Sequence, residues 1–92
     1  MKWIVRAPRD LEKILRRLPI EIGRLFEAFV TDLENEGPFP NGWQIGPLSG
    51  NWKGFYKAKL KRDYRVIYSY KSNIVTVIIE KISDRKNVYR RP

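Results

Sequence analysis

The sequence predicts a small α+β domain in which two N-terminal helices pack on one face of a twisted, antiparallel-rich sheet, in the order β-α-α-β-β-β. Three observations predict it. Ninety-two residues suffice for one modest core and leave no room for a second, so residues 1–92 are read as a single domain. The apolar residues repeat at the helical period between Leu11 and Leu33, and after residue 54 the period becomes two. A composition that is 42% hydrophobic and 13% aromatic supplies the apolar surface a folded core needs to offset chain entropy.

The elements follow in order. Residues 2–6 read as a short strand, with Trp3 and Val5 alternating against Lys2, Ile4 and Arg6. Asp10 is placed to cap a first helix whose Leu11, Ile14, Leu15 and Leu18 fall on one side, and Pro19 ends it or begins the next. Ile22, Leu25, Phe26, Phe29, Val30 and Leu33 then hold the helical period over three turns until Gly37 and Pro38 stop it. The acids Glu21, Glu27, Asp32, Glu34 and Glu36 mark the solvent side of that helix. A connector rich in Gly and Pro runs from 37 to 51. Residues 54–61, 64–71 and 74–82 read as three strands joined by tight turns, the last apolar enough for an interior position.

Absences narrow the chemistry. There is no cysteine, hence no disulfide, thiolate metal site or thiol nucleophile, and no histidine, the usual acid/base group near neutral pH and the commonest metal ligand. No metal and no small-molecule cofactor is expected, and any catalysis would fall to Lys, Arg, Tyr, Asp, Glu or Ser. Charges interrupt the apolar stretch after Trp3-Ile4-Val5, so the N-terminus fits neither a signal peptide nor a membrane span, and a cytoplasmic protein is expected.

The net charge is +9, and it is unevenly placed. Residues 1–48 carry seven basic and seven acidic side chains, whereas residues 49–92 carry twelve basic and three acidic ones. A one-sided basic field of this kind attracts polyanions, nucleic acid first among them.

Much of that charge lies on a hairpin. Phe55, Lys57, Lys59 and Lys61 alternate with Tyr56, Ala58 and Leu60, and in the next strand Tyr64, Val66, Tyr68 and Tyr70 alternate with Arg65, Ile67, Ser69 and Lys71. Directly opposed residues of an antiparallel pair point to the same side. A two-residue loop at Arg62-Asp63 would set Leu60 against Arg65 and mix apolar with charged on both faces. A three-residue loop at 61–63 sets Leu60 opposite Tyr64, Ala58 opposite Val66 and Tyr56 opposite Tyr68, which gives one continuous core face. The predicted register therefore clusters Lys57, Lys59 and Arg65 on one solvent-facing surface, beside Phe55 and Ile67. Exposed lysines also discourage edge-to-edge pairing, so the cluster alone leaves function and strand protection as equal alternatives.

At these residues the sequence resembles the RelE-like toxins of type II toxin-antitoxin systems, in the RelE/ParE superfamily. The resemblance rests on Leu48-Ser49-Gly50-Asn51-Trp52-Lys53-Gly54-Phe55-Tyr56-Lys57-Ala58-Lys59-Leu60, then Tyr64-Arg65-Val66-Ile67-Tyr68, then Arg85-Lys86-Asn87-Val88-Tyr89. It implies a toxin that cuts mRNA in the ribosomal A site, an mRNA interferase in contact with ribosomal RNA and held inactive by a cognate antitoxin protein. By that resemblance Lys57, Lys59, Arg65, Arg85 and Tyr89 are the catalytic residues, while Lys53, Lys61, Arg62, Lys86 and Arg90 contact RNA. The implied chemistry is attack of a 2′-hydroxyl on the adjacent phosphate. Arg65 and Arg85 would clamp the phosphate, Lys57 or Lys59 would act as base, and Tyr89 would stack on a base or orient the hydroxyl. Trp43 and Trp52 are expected to seal the edge of the core. Two alternatives stay open: a ParE-like poison of DNA gyrase that catalyses nothing, and a degenerate relative that binds RNA without cutting it. Retention of Lys57, Lys59, Arg65, Arg85 and Tyr89 together favours the nuclease. An antitoxin segment is expected to wrap a groove beside the helices or to cover the basic face, docking as a helix in a groove or as an added strand.

Overall fold

A computed structural model of the chain describes residues 3–61 and 64–81. The apolar helical period produces two helices, α1 over Leu11–Arg17 and α2 over Ile20–Glu36. Asp10 occupies the N-cap of α1, but its side chain makes no capping hydrogen bond; only its backbone carbonyl is used, by the N–H of Ile14 at 3.0 Å. Helix α2 buries Ile22, Phe26, Phe29 and Leu33, which lie three or four residues apart and so form one stripe.

The acids of α2 are more than a solvated face. Glu21 pairs with Lys61, Asp32 accepts a 2.8 Å hydrogen bond from the indole of Trp43, and Glu36 accepts one from the backbone of Asn41. Helix and connector are thereby tied to the sheet and to each other.

Gly37 ends α2 with φ at 90° and ψ at −165°, and its N–H donates to the carbonyl of Leu33 at 2.9 Å. The backbone there adopts a conformation reserved for glycine, and a Cβ at this position would stand 2.8 Å from Nε1 of Trp3. Strain and clash together predict that Gly37→Ala lowers stability by at least about 2 kcal/mol, a fall in Tm on the order of 10 °C. Thermal unfolding followed by circular dichroism checks this, and a variant that melts with the wild type would refute it.

Among the described residues five strands form the sheet. They are β1 (Ile4–Arg6), β2 (Ile45–Pro47), β3 (Tyr56–Lys61), β4 (Tyr64–Lys71) and β5 (Ile74–Lys81), with a 3₁₀ turn at Gly50–Trp52 between β2 and β3. The spatial order is β1-β5-β4-β3-β2, with β1 parallel to β5 and every other pair antiparallel. β5 therefore lies inside the sheet, as its apolar run predicts. β2 corrects the sequence reading, which placed residues 37–51 in an irregular connector. Its three residues Ile45, Gly46 and Pro47 carry weak strand propensity, and they are extended because they pair with Ala58, Lys57 and Tyr56 of β3.

The helices cover one side of this sheet. Ala58, Leu60, Val66, Tyr68, Val75 and Val77 meet the buried stripe of α2 in a single cluster, with Leu11 and Leu15 of α1 and Leu18 just beyond its end packed at the margin.

The β3–β4 hairpin has four of the expected pairs: Tyr56 opposite Tyr68, Lys57 opposite Ile67, Ala58 opposite Val66 and Lys59 opposite Arg65. It reaches them by another route. Lys61, rather than Leu60, stands across from Tyr64, and the register shifts by one residue between Lys59 and Lys61. The odd residue thus sits in a β-bulge at the end of β3 instead of in a three-residue loop. A bulge repairs the register that a shorter connection would otherwise spoil. It also redirects a side chain, because Lys61 reaches the helix side, where its Nζ lies 2.8 Å from Oε1 of Glu21.

Candidate nucleic-acid interface

Alternation along paired strands places Lys57, Lys59, Arg65 and Ile67 on the sheet face opposite the helices. Lys59 stands directly across from Arg65, and Lys57 is the next residue on that face of β3. Lys57 and Lys59 are exposed, whereas Arg65 is half-buried. Ile67 departs from the expected solvent-facing position: it is only 2% exposed, yet lies outside the helix-side cluster. The basic face therefore has an apolar floor beside its charges.

The edge strand shapes that face. Gly46 of β2 is the partner of Lys57, and the Cε of Lys57 lies 3.9 Å from where a Cβ on Gly46 would stand. The lysine stem can thus lie along the backbone of β2, which carries no side chain at that point. A planar guanidinium and two ammonium groups on a flat surface suit a phosphate with several oxygens to satisfy.

The turn leading into β3 adds aromatic surface. Trp52 closes the 3₁₀ turn and is 45% exposed, and its ring meets that of Phe55 edge to face with centroids 5.3 Å apart. Phe55 immediately precedes β3, and the alternation of that strand carried back one residue puts it on the side of Lys57. The expectation for the two tryptophans therefore divides. Trp43 does seal the core, packed 4.9 Å from Phe29 and hydrogen-bonded to Asp32. Trp52 does not.

Of the residues expected to contact RNA, Lys53 is exposed in the turn between Trp52 and Phe55, and Lys61 is held on the helix side by Glu21. Arg62, Arg85, Lys86, Tyr89 and Arg90 lie outside the described residues. Among the described residues no group of three or more His, Cys, Asp or Glu side chains is placed to hold a metal ion, and no helix is long and apolar enough to cross a membrane.

Behind the basic face, the helix side of β3 and β4 is built from tyrosines. The ring of Tyr56 lies 5.8 Å from that of Tyr68 and 6.0 Å from that of Tyr70, centroid to centroid, and the hydroxyl of Tyr68 donates a 2.5 Å hydrogen bond to the carbonyl of Pro38. Burial pushes the phenol of Tyr68 well above its ordinary pKa, and the neighbouring phenols of Tyr56 and Tyr70 push it further. The folded state therefore keeps a proton that the unfolded chain releases above about pH 10, so stability falls as pH rises past that value, by roughly 1 kcal/mol per pH unit. In Tyr68→Phe the stability at pH 7 should drop by about 1–3 kcal/mol through the unsatisfied carbonyl, while the decline above pH 10 becomes shallower. Urea unfolding of both proteins at pH 7, 9.5 and 11 measures the two slopes; equal slopes would exclude Tyr68 as the group responsible.

No family model matches the chain. Over 63 residues, 67% of its length, it is 33% identical to the Haemophilus influenzae protein named for the toxin YafQ. The match spans 62% of that relative's length. Among solved structures, the archaeal RelE-RelB complex from Pyrococcus horikoshii superposes with a TM-score of 0.69 at 28% identity, covering 90% of this chain and 98% of the other. The toxin-antitoxin complex RelBE2 from Mycobacterium tuberculosis gives a TM-score of 0.65 at 21% identity, covering 88% of this chain and 99% of the other. YafQ from Escherichia coli gives 0.66 at 19% identity, covering 87% and 93%. The last two likenesses concern the fold.

Proposed function

We propose that this chain, similar to a YafQ relative and to an archaeal RelE, is a RelE-like toxin of a toxin-antitoxin system and acts as a ribosome-dependent mRNA endonuclease. The observation that carries the proposal is the pairing of Lys59 with Arg65, beside Lys57, on the sheet face that the helices leave uncovered. A face of that composition suits RNA as its substrate.

The proposed reaction is attack of a ribose 2′-oxygen on the adjacent phosphorus, which forms a new P–O bond, breaks the bond to the 5′-oxygen of the next nucleotide and leaves a 2′,3′-cyclic phosphate. Arg65 would stabilise the charge that builds on the non-bridging oxygens, a role its permanent charge and forked donors fit. Lys57 or Lys59 would take the proton from the 2′-hydroxyl, and the other, protonated, would give one to the departing 5′-oxygen. Arg85 and Tyr89 remain part of the proposal, as donor to the phosphate and stacking partner of a base. The partners proposed are mRNA in the ribosomal A site, ribosomal RNA and a cognate antitoxin protein. No metal or cofactor is needed for any step.

The test adds purified protein to ribosomes stalled on a defined mRNA and maps the new 5′ ends. Cuts within the A-site codon are expected. Intact mRNA together with inhibition of supercoiling by DNA gyrase would overturn the reading in favour of a gyrase poison, and intact mRNA with retained RNA binding would make the protein a non-cutting relative.

A further inference from the structure

We infer that Trp52 is a base-stacking platform at the foot of the basic face, holding an unpaired base next to the phosphate that Lys57, Lys59 and Arg65 engage. The inference rests on the RNA-directed reading of that face and extends it to a residue that neither core packing nor the cluster of charges explains. Three observations carry it.

The first is exposure. Trp52 leaves 45% of its surface in solvent, although a large indole ordinarily gains more by burial. Trp43, in the connector, shows the alternative, with its ring against Phe29 and its N–H satisfied by Asp32.

The second is rigidity. The N–H of Trp52 donates to the carbonyl of Ser49 at 3.2 Å, and its own carbonyl accepts from Phe55 at 3.0 Å. Between them Lys53 has φ −57° and ψ 132° while Gly54 has φ 96°, the pattern of a type II turn that requires glycine at its third position. Backbone on both sides and the ring of Phe55 thus set the indole before any ligand arrives. A preset aromatic loses little conformational entropy on binding.

The third is position. Phe55 stands just before β3, its carbonyl accepting from the N–H of Leu48 at 2.9 Å, and the alternation of β3 carried back to it puts it on the side of Lys57, two residues or about 7 Å away. Lys53, exposed beside Trp52, adds a further cation for the backbone of the same nucleotide. An aromatic ring set among cations is how proteins hold single-stranded nucleic acid, because each base offers a π-face whatever its identity.

Fluorescence anisotropy with a dye-labelled decamer of riboadenosine, and with the same decamer carrying abasic riboses, tests the inference. Wild-type protein is expected to bind the adenosine decamer about 5- to 150-fold more tightly than the abasic one, which corresponds to about 1–3 kcal/mol for one stacked base. Trp52→Ala should lose most of that preference while binding the abasic decamer like wild type, and Trp52→Phe should recover part of it. Lys59→Ala should weaken both decamers alike. Equal preference in wild type and Trp52→Ala overturns the platform and leaves the RNA reading standing. Failure of the wild type to bind either decamer overturns both. A Trp52→Ala protein that still discriminates adenosine from abasic RNA but has lost binding to its antitoxin would assign the indole to a protein interface instead. The type II turn does not depend on the indole, so Trp52→Ala is expected to melt within about 3 °C of wild type, in line with the small effects of exposed substitutions.

Discussion

Arg65→Ala is expected to cut mRNA on stalled ribosomes about 10²–10³-fold more slowly than the wild type, and to abolish growth arrest when expressed without antitoxin. The expectation follows from the two faces of one strand. Val66 and Tyr68 of β4 are fully buried in the helix-side cluster, while Arg65, between Tyr64 and Val66, projects from the opposite face across from Lys59. Truncating Arg65 therefore removes a guanidinium from the basic face without opening the core, and Tm should change by less than about 5 °C. Arg65→Lys sharpens the test. It keeps the charge and loses the planar fork, so a role in clamping phosphate predicts that lysine restores RNA affinity better than it restores the rate of cutting. Wild-type cleavage by Arg65→Ala, or a loss of stability large enough to explain its inactivity, would defeat the assignment.

Much of this face was legible in the sequence because two simple periodicities meet there. Alternation in residues 54–71, together with the need to keep Leu60, Ala58 and Tyr56 on one side, leaves few registers, and the pairing of Lys59 with Arg65 follows. What the sequence concealed has local physical causes. A bulge and a longer loop both absorb one residue, so counting residues could not separate them, and the fate of Lys61 depends on that choice: it swings to Glu21 instead of joining the other lysines. β2 was concealed because Gly46 and Pro47 are poor strand formers that become extended only by pairing with β3. Ile67 reads as a surface residue because alternation gives the face of a side chain and not its depth, and at 2% exposure it is buried. For Trp52 a signal did exist. Lys53-Gly54 directly after it marks a tight turn, and a tryptophan at the entrance of such a turn has little core within reach.

Phe29→Ala is expected to lose about 3–5 kcal/mol of stability, a large part of the roughly 5–14 kcal/mol that a chain of this size possesses. Phe29 has no exposed surface, and its ring is wedged between Trp43 at 4.9 Å and Tyr68 at 5.7 Å. Removing it opens a cavity where α2, the connector and β4 converge, and it frees Trp43 and Tyr68, whose hydrogen bonds to Asp32 and Pro38 depend on where their rings rest. Urea unfolding measures the loss, and Phe29→Leu, which fills much of the space, should lose less than half as much. The two largest effects are then separable by their response to conditions. Inactivity of Phe29→Ala reflects a smaller folded fraction, so cooling to about 15 °C or adding an excluded osmolyte should restore cutting. Inactivity of Arg65→Ala reflects a missing group on a folded protein, and neither treatment should restore it. If osmolyte rescued Arg65→Ala as well, the arginine would belong to the structure of β4 and not to the chemistry of its open face.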